Sequence, residues 1–128
     1  IIEEFRANGG KVGGMFEGAP LLLLTTVGAK SGQPRIAPLA YTKDNDRYVV
    51  IASKGGAPTH PDWYHNLKAH PAVTVEVGAE SFAATAVEET GEERDRLYDQ
   101  MAAVMPNFAE YQRNTDRKIP PFTLRRAG

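Results

Sequence analysis

The sequence predicts a mainly β (α+β) fold: a small barrel of about six antiparallel strands carrying peripheral helices. Three observations predict it. Short apolar runs recur along the chain, joined by brief turns rich in Gly, Asn and Asp. One pair of runs alternates polar and apolar residues across a tight turn, as a hairpin does. The clearest helical signals fall late, so helices are added to the strands instead of alternating with them. At 128 residues the chain is expected to form one domain, 1–128.

The elements follow in order. Ile1 to Asn8 places Ile1, Ile2 and Phe5 on one helical side before Gly9-Gly10, the last turns of a helix. Because position 1 is not Met, a preceding N-terminal segment is expected. Leu21 to Val27 is a continuous apolar run, read as a buried strand. Arg35 to Thr42 is a second strand, in which Pro38 marks an edge or a bulge. Asp44-Asn45-Asp46 turns tightly into a third strand, Arg47 to Ser53. After a loop from Lys54 to Pro61, Asp62 to Ala69 is a short helix with Asp62 as N-cap and Pro71 beyond it. Ala72 to Val77 and Ser81 to Val87 pair across Gly78-Ala79-Glu80. Thr90 opens a capping box with Glu93, and the helix Glu92 to Met105 stops at Pro106. Asn107 to Asn114 is a further short helix, and Pro121 to Arg125 the last strand.

Composition narrows the function. A formal net charge of −1 supplies no general field for nucleic acid, so any polyanion must be held by a local cluster. The absence of cysteine excludes disulfides, thiolate metal sites and a cysteine nucleophile, and suits a reducing, cytoplasmic setting. Leu21 to Leu24 is far short of a membrane span. Peripheral membrane contact through the expected preceding segment stays open. His60, His65 and His70 lie five apart, not the three or four that place two ligands on one helical face, so no metal site is expected. No G-x-S-x-G nucleophile elbow, Walker loop or G-x-G-x-x-G occurs.

Two segments carry the chemistry. Gly28-Ala29-Lys30-Ser31-Gly32-Gln33-Pro34-Arg35 and Ser53-Lys54-Gly55-Gly56 each interrupt a strand-like run with glycines and a lysine. Each alone reads as a polar turn. Together they form an anion nest of backbone N–H groups with Lys30, Arg35 and Lys54 as fixed cations, suited to an extended polyanionic cofactor. Trp63, Tyr64 and Asn66 follow on one short helix. The rings can pack against a planar ligand or cap the barrel, and Asn66 can donate to a phosphate or carboxylate. Such a site is rich in donors and poor in acid–base machinery, as expected where a cofactor carries the reaction.

The runs LLLLTTVGAKSGQPRIAPLAY, YVVIASKGGAPTHPDWYHNLKAHP and NTDRKIP resemble the deazaflavin-dependent nitroreductase family of actinobacteria over nearly the whole chain, with SKGG and P-x-W-Y-x-N-L the most specific elements. The resemblance implies a split β-barrel of the FMN-binding type that binds reduced 8-hydroxy-5-deazaflavin (coenzyme F-420) and passes its hydride to quinone-like or nitroaromatic acceptors. It implies that the phosphate and oligoglutamate tail lie near Ala29, Lys30, Ser31 and Arg35, with Lys54 and Asn66 adding contacts. The tricyclic ring would lie along Ile36, Ala37, Pro38, Leu39 and Ala40 and along Ile51, Ala52 and Ser53, closed on one side by Asp62, Trp63, Tyr64, His65 and Asn66. Met105, Phe108 and Tyr111 would form the acceptor side, with Tyr111 and Ser53 as candidate proton donors. The late helix keeps only Tyr111 where nitroimidazole-reducing members are tyrosine-rich, which favours flat apolar quinones. Two alternatives stay open here: an FMN- or FAD-dependent reductase on the same barrel, and a non-catalytic deazaflavin carrier. A monomer and a homodimer both fit the sequence.

Overall fold

Leu21 to Leu24 runs apolar without alternation because both faces of its strand are covered. In the computed structural model, which describes residues 2–7, 20–45, 47–53, 60–116 and 118–127, this strand is β1 (Leu21–Val27). Leu22 and Leu24 enter the main core with Val50, Ala52, Val75 and Phe122, while Leu21 and Leu23 meet Phe5 on the other side. Phe5 comes from α1 (Ile2–Ala7), which is tied to the sheet by a two-pronged ion pair from Arg6 to Glu76 at 2.8 and 3.0 Å. A strand buried on both faces has no solvent side to supply polar alternation.

The remaining elements are β2 (Pro34–Ala40), β3 (Thr42–Asp44), β4 (Arg47–Ile51), α2 (Asp62–Ala69), β5 (Ala72–Val77), β6 (Glu80–Glu88), α3 (Gly91–Val104), α4 (Asn107–Arg113) and β7 (Pro121–Arg126). The seven strands form one antiparallel sheet in the order β2-β1-β5-β6-β7-β4-β3. The sheet curls until β2 approaches β4, giving the predicted half-open barrel. Among the described residues, no helix is long and apolar enough to cross a membrane.

Three sequence expectations need correction. The second strand is two: the run Arg35 to Thr42 breaks at Tyr41, whose N–H donates to Pro20 O (3.0 Å) instead of continuing a ladder. Beyond that corner the chain leaves β1 and pairs with β4, and the Tyr41 ring meets Tyr48 edge-on at 5.3 Å. The strand count is therefore seven, not six. Pro61, not Asp62, is the N-cap of α2, and Asp62 sits in the first turn beside the positive end of the helix. The Thr90–Glu93 capping box does not close, because the Thr90 side chain makes no cap hydrogen bond and the Glu93 carboxylate binds Arg96 and Arg47. Pro38 does stand on an edge strand, β2, where one side of the ladder needs no donor.

That arginine cluster fastens α3 to the β3–β4 hairpin. Asp44, nearly buried, accepts from Arg96 through both carboxylate oxygens at 3.0 Å and also from Arg47. Hydrogen bonds from Arg96 and then Arg47 hold the Asp44 carboxyl far below the usual carboxylate range. A depressed folded-state pKa contributes stability that is present above the unfolded value of about 4 and is lost as pH falls below it. Asp44→Asn is therefore expected to cost about 1 kcal/mol at pH 7, small because Arg96 is half exposed. The variant should also lose less of its remaining stability than the parent between about pH 4 and pH 2. Denaturant unfolding across that range checks it, and an equal pH slope in the two proteins would contradict it.

Candidate functional site

The turn between β1 and β2 is built by its own backbone. Gly28 N–H donates to Gln33 O (2.8 Å) and Gly32 N–H to Gly28 O (2.9 Å), while Gly32 adopts φ 70°. The Ser31 hydroxyl accepts from Gln33 N–H at 3.1 Å. Gly28 has no room for a side chain, since a Cβ there would stand 2.5 Å from Ser31 Oγ and 3.2 Å from Gln33 O. Among the described residues, these bonds leave Lys30 and Ser31 as the turn positions whose N–H groups have no protein partner. Adjacent unpaired N–H groups form a small anion nest.

Helix α2 holds the turn in place through Asn66. This side chain is buried, and both ends of its amide bind protein: Oδ1 accepts from Ala29 N–H (2.9 Å) and Nδ2 donates to Thr26 Oγ1 (3.1 Å). Thr26 in turn lies opposite Arg35 in the β1–β2 register and donates a longer bond, 3.5 Å, to Arg35 O. One carboxamide thus joins the end of β1, the glycine turn and the helix.

Between these three segments opens a cleft of about 650 Å³, lined by Thr26, Gly28, Ala29, Lys30, Ser31, Arg35, Ile36, Ala37, Asp62, Trp63, His65 and Asn66. Most described cations, Arg6, Arg47, Lys68, Arg94, Arg96, Lys118, Arg125 and Arg126, have carboxylate partners; Lys30 and Arg35, both exposed in the cleft, have none among the described residues, as Lys43 and Arg113 elsewhere also have none. Its apolar part is Ile36, Ala37 and the Trp63 ring, which is anchored edge-on against Phe122 at 5.9 Å. The arrangement offers cations and N–H donors at one end and a flat apolar surface beside them. Among the described residues, no three His, Asp or Glu side chains converge as metal ligands.

The structure sorts the sequence-predicted residues into two places. Ala29, Lys30, Ser31, Arg35, Ile36, Ala37, Asp62, Trp63, His65 and Asn66 line the cleft. Pro38, Leu39 and Ala40 continue along exposed edge strand β2 away from it, and Ala40 reaches a second cluster. That cluster brings together Ile51, Tyr98, Met101, Phe108 and Ile119, with Met105 and Tyr111 packed on it. The predicted acceptor residues are therefore joined to the far end of β2.

Several assignments change on this geometry. Tyr64 does not line the cleft: its ring stacks on His60 at 3.8 Å and meets Phe122 at 5.8 Å. Ala52 and Ser53 are buried past the end of β4, with Ser53 N–H donating to Ile51 O. Phe108 is a packing residue inside the second cluster, not an exposed wall. Tyr111 keeps partial exposure, meets Phe108 edge-on at 5.3 Å and accepts from Asn107 Nδ2 at 2.8 Å. Lys54 lies outside the described residues. Thr26 was missed by sequence reasoning, and Gly28 entered it only as part of the turn. The two threonines closing an otherwise apolar strand, next to the first glycine, were the available signal.

The construction of the turn gives a direct test. Asn66→Ala removes partners from Thr26 and from the Ala29 N–H, and is expected to destabilise the fold by about 1–3 kcal/mol. A Thr26→Val variant, which keeps the Ala29 bond, should lose less. Chemical unfolding of both proteins measures this, and a neutral Asn66→Ala would contradict the bonding scheme.

Comparison with known proteins adds an independent finding. The family profile described as F420H(2)-dependent quinone reductase matches residues 1–125. The chain is 43% identical over 126 residues to a protein of Mycobacterium tuberculosis named F420H(2)-dependent quinone reductase, covering 95% of this chain and 85% of the relative. A solved structure described as an F420-H2 dependent reductase (FDR-A) superposes with TM-score 0.76 at 46% identity, over 82% of this chain and 93% of that one. Another, described as a domain-swapped dimer, superposes with TM-score 0.78 at 42% identity, over 96% and 90%.

Proposed function

The chain belongs to the F420H(2)-dependent quinone reductase family, and from that premise we propose that the cleft beside the glycine turn holds reduced coenzyme F-420 for hydride transfer to a quinone. Family membership identifies the chain as an oxidoreductase that uses the reduced deazaflavin, in place of the FMN-dependent and non-catalytic alternatives. The single observation that carries the assignment of the cleft is the pair of cations Lys30 and Arg35 beside two backbone N–H groups, all without a partner among the described residues. A cofactor with a phosphate and several carboxylates needs a strip of donors of this kind.

When bound, the reduced deazaflavin supplies a hydride from its C5 position. The chain's own part is to bind, orient and exclude water. Lys30 and Arg35, with the N–H groups of Lys30 and Ser31, neutralise the anionic end. Ile36, 37% exposed and therefore available to a ligand, joins Ala37 and Trp63 as the apolar side against which a planar ring is held. Asn66 and Thr26 are positioning residues: they fix the turn, and their amide and hydroxyl are committed to protein. From Ile36 to Ala40 the strand advances about 13 Å, at about 3.3 Å per residue, toward Met105 and Tyr111. That end of β2 is where the acceptor would lie. Reducing a quinone to a quinol takes one hydride and one proton. Tyr111 is the proton donor we favour, since its oxygen accepts from Asn107 and its own O–H proton stays available to a ligand. Ser53, buried past β4, is the lesser candidate.

Lys30→Glu and Arg35→Glu are each expected to weaken binding of the reduced cofactor by about 1.5–3 kcal/mol while leaving unfolding unchanged within about 0.5 kcal/mol. Binding should also weaken with salt, screened over about 8–10 Å near physiological ionic strength. Fluorescence titration at two salt concentrations reads both effects, and unchanged affinity in both variants would remove the cleft as the cofactor site. On the acceptor side, quinone reduction is expected to exceed reduction of a bicyclic nitroimidazole. Tyr111→Phe should slow quinone turnover by roughly tenfold or more with cofactor affinity unchanged. Phe108→Tyr adds a hydroxyl inside a packed cluster and should lower stability without raising nitro reduction. Steady-state rates with both acceptors decide, and a parent enzyme that prefers the nitroimidazole would contradict this reading.

A further inference from the structure

A second cleft lies at the other end of the strand order and shares no residue with the first. It encloses about 490 Å³ and is lined by Lys43 of β3, Arg47 and Tyr48 of β4, and Arg125 and Arg126 of β7. We propose that this cleft binds a small oxyanion of polyphosphate type, carrying two or more charges, as a site separate from the cofactor cleft.

Lys43 Nζ stands 5.1 Å from the centre of the Tyr48 ring, Tyr48 lies on Phe82 at 5.8 Å with the planes 32° apart, and Arg126 Cζ sits 3.9 Å over Phe82. Two cations thus rest on one pair of tilted, contacting rings, which limits the side-chain freedom that ligand binding would otherwise remove. Carboxylates do surround the cleft, but none lines it. Arg47 reaches Asp44 and Glu93 through Nη2 alone, and Arg126 reaches Glu80 through Nη2. Arg125 uses Nε on Thr123 and Nη2 on Glu89. Among the described residues, Nη1 of all three arginines has no partner, and Lys43 has no carboxylate. The Tyr48 hydroxyl likewise has no hydrogen-bond partner among them. An Nη1 group from each of three arginines and a lysine point charge, lining one concavity, suit several phosphate oxygens held together. Because no lining residue is shared, the first cleft cannot explain these donors.

Inorganic tripolyphosphate is the probe, titrated calorimetrically into the full chain. A Lys30→Gln/Arg35→Gln variant removes the cofactor cleft as a competing site and is expected to retain saturable one-to-one binding within about threefold of the parent's second-site affinity. Lys43→Gln/Arg126→Gln added to that background should weaken this binding at least tenfold, while Lys43→Arg/Arg126→Lys, which keeps the charges, should restore most of it. Thermal melts confirm folding, and the exposed Lys43→Gln alone, expected to weaken binding at least threefold, serves if the double variant is unstable. Loss of saturable binding in Lys30→Gln/Arg35→Gln, or affinity untouched by the Lys43 and Arg126 changes, overturns the proposal.

Discussion

The cleft depends on a single buried carboxamide. Asn66 accepts from the Ala29 N–H and donates to the Thr26 hydroxyl, so three chain segments distant in sequence meet at one side chain. Glycines let the β1–β2 turn adopt its shape but do not fix where it sits. The Asn66 bonds do, from a helix that is itself held by Leu67 and Trp63 against the core. This explains why the turn is not simply a flexible hairpin tip: the Ala29 N–H is tied inward, its glycine ends are bonded to one another, and the two N–H groups left over have no acceptor among the described residues. Committed donors give the uncommitted ones a fixed position, and a preorganised anion site needs that more than it needs additional charge.

The second constraint is the open edge of β2. Barrel closure would normally pair this strand, yet among the described residues it bonds only to β1, with Pro34, Arg35, Ile36 and Pro38 exposed. Pro38 lacks the N–H that would invite another strand, so the edge is protected from pairing while its apolar side chains stay reachable. One end of the strand lies in the cationic cleft and the other packs on the Ile51–Phe108 cluster. A long ligand laid along it would join the cofactor's anionic end to the acceptor end without any element having to move. The break at Tyr41 serves the same geometry, because it sends the chain from β1's edge to β4 and brings the second cluster under the strand's end.

Much of this was legible in the sequence, for identifiable reasons. β1, α2 and the β5–β6 hairpin were read almost to the residue, since continuous apolar runs, a proline stop and a Gly-containing two-residue turn are local signals. Lys30, Ser31, Arg35 and Ile36 fell in the cleft because glycine turns beside cations have a direct chemical reading. What failed was non-local. Thr90 and Glu93 spell a capping box, but Arg47, reached through tertiary packing, takes the glutamate together with Arg96 one turn along the same helix. Tyr41 reads as mid-strand until its N–H is seen to bond Pro20. The family resemblance implies ligand contacts for Asn66 and Tyr64, although the Tyr64 ring also reads as a barrel cap. A sequence cannot tell that a carboxamide will meet two protein partners, or that a ring will turn to His60 and Phe122. Phe108 was misplaced for the same reason, as burial is decided by the α3–α4 packing and not by its neighbours in the chain.

If the anion nest is made of the N–H groups the turn leaves unpaired, amide chemical shifts on titration with reduced coenzyme F-420 will report it. The largest shifts are expected at Lys30 and Ser31, further shifts at Ile36, Ala37 and the Trp63 indole, and smaller ones at Ala29, Gly32 and Gln33, whose N–H groups are already bonded within the protein. Shifts centred on Lys43, Tyr48 and Arg126, with Lys30 and Ser31 unmoved, would contradict it.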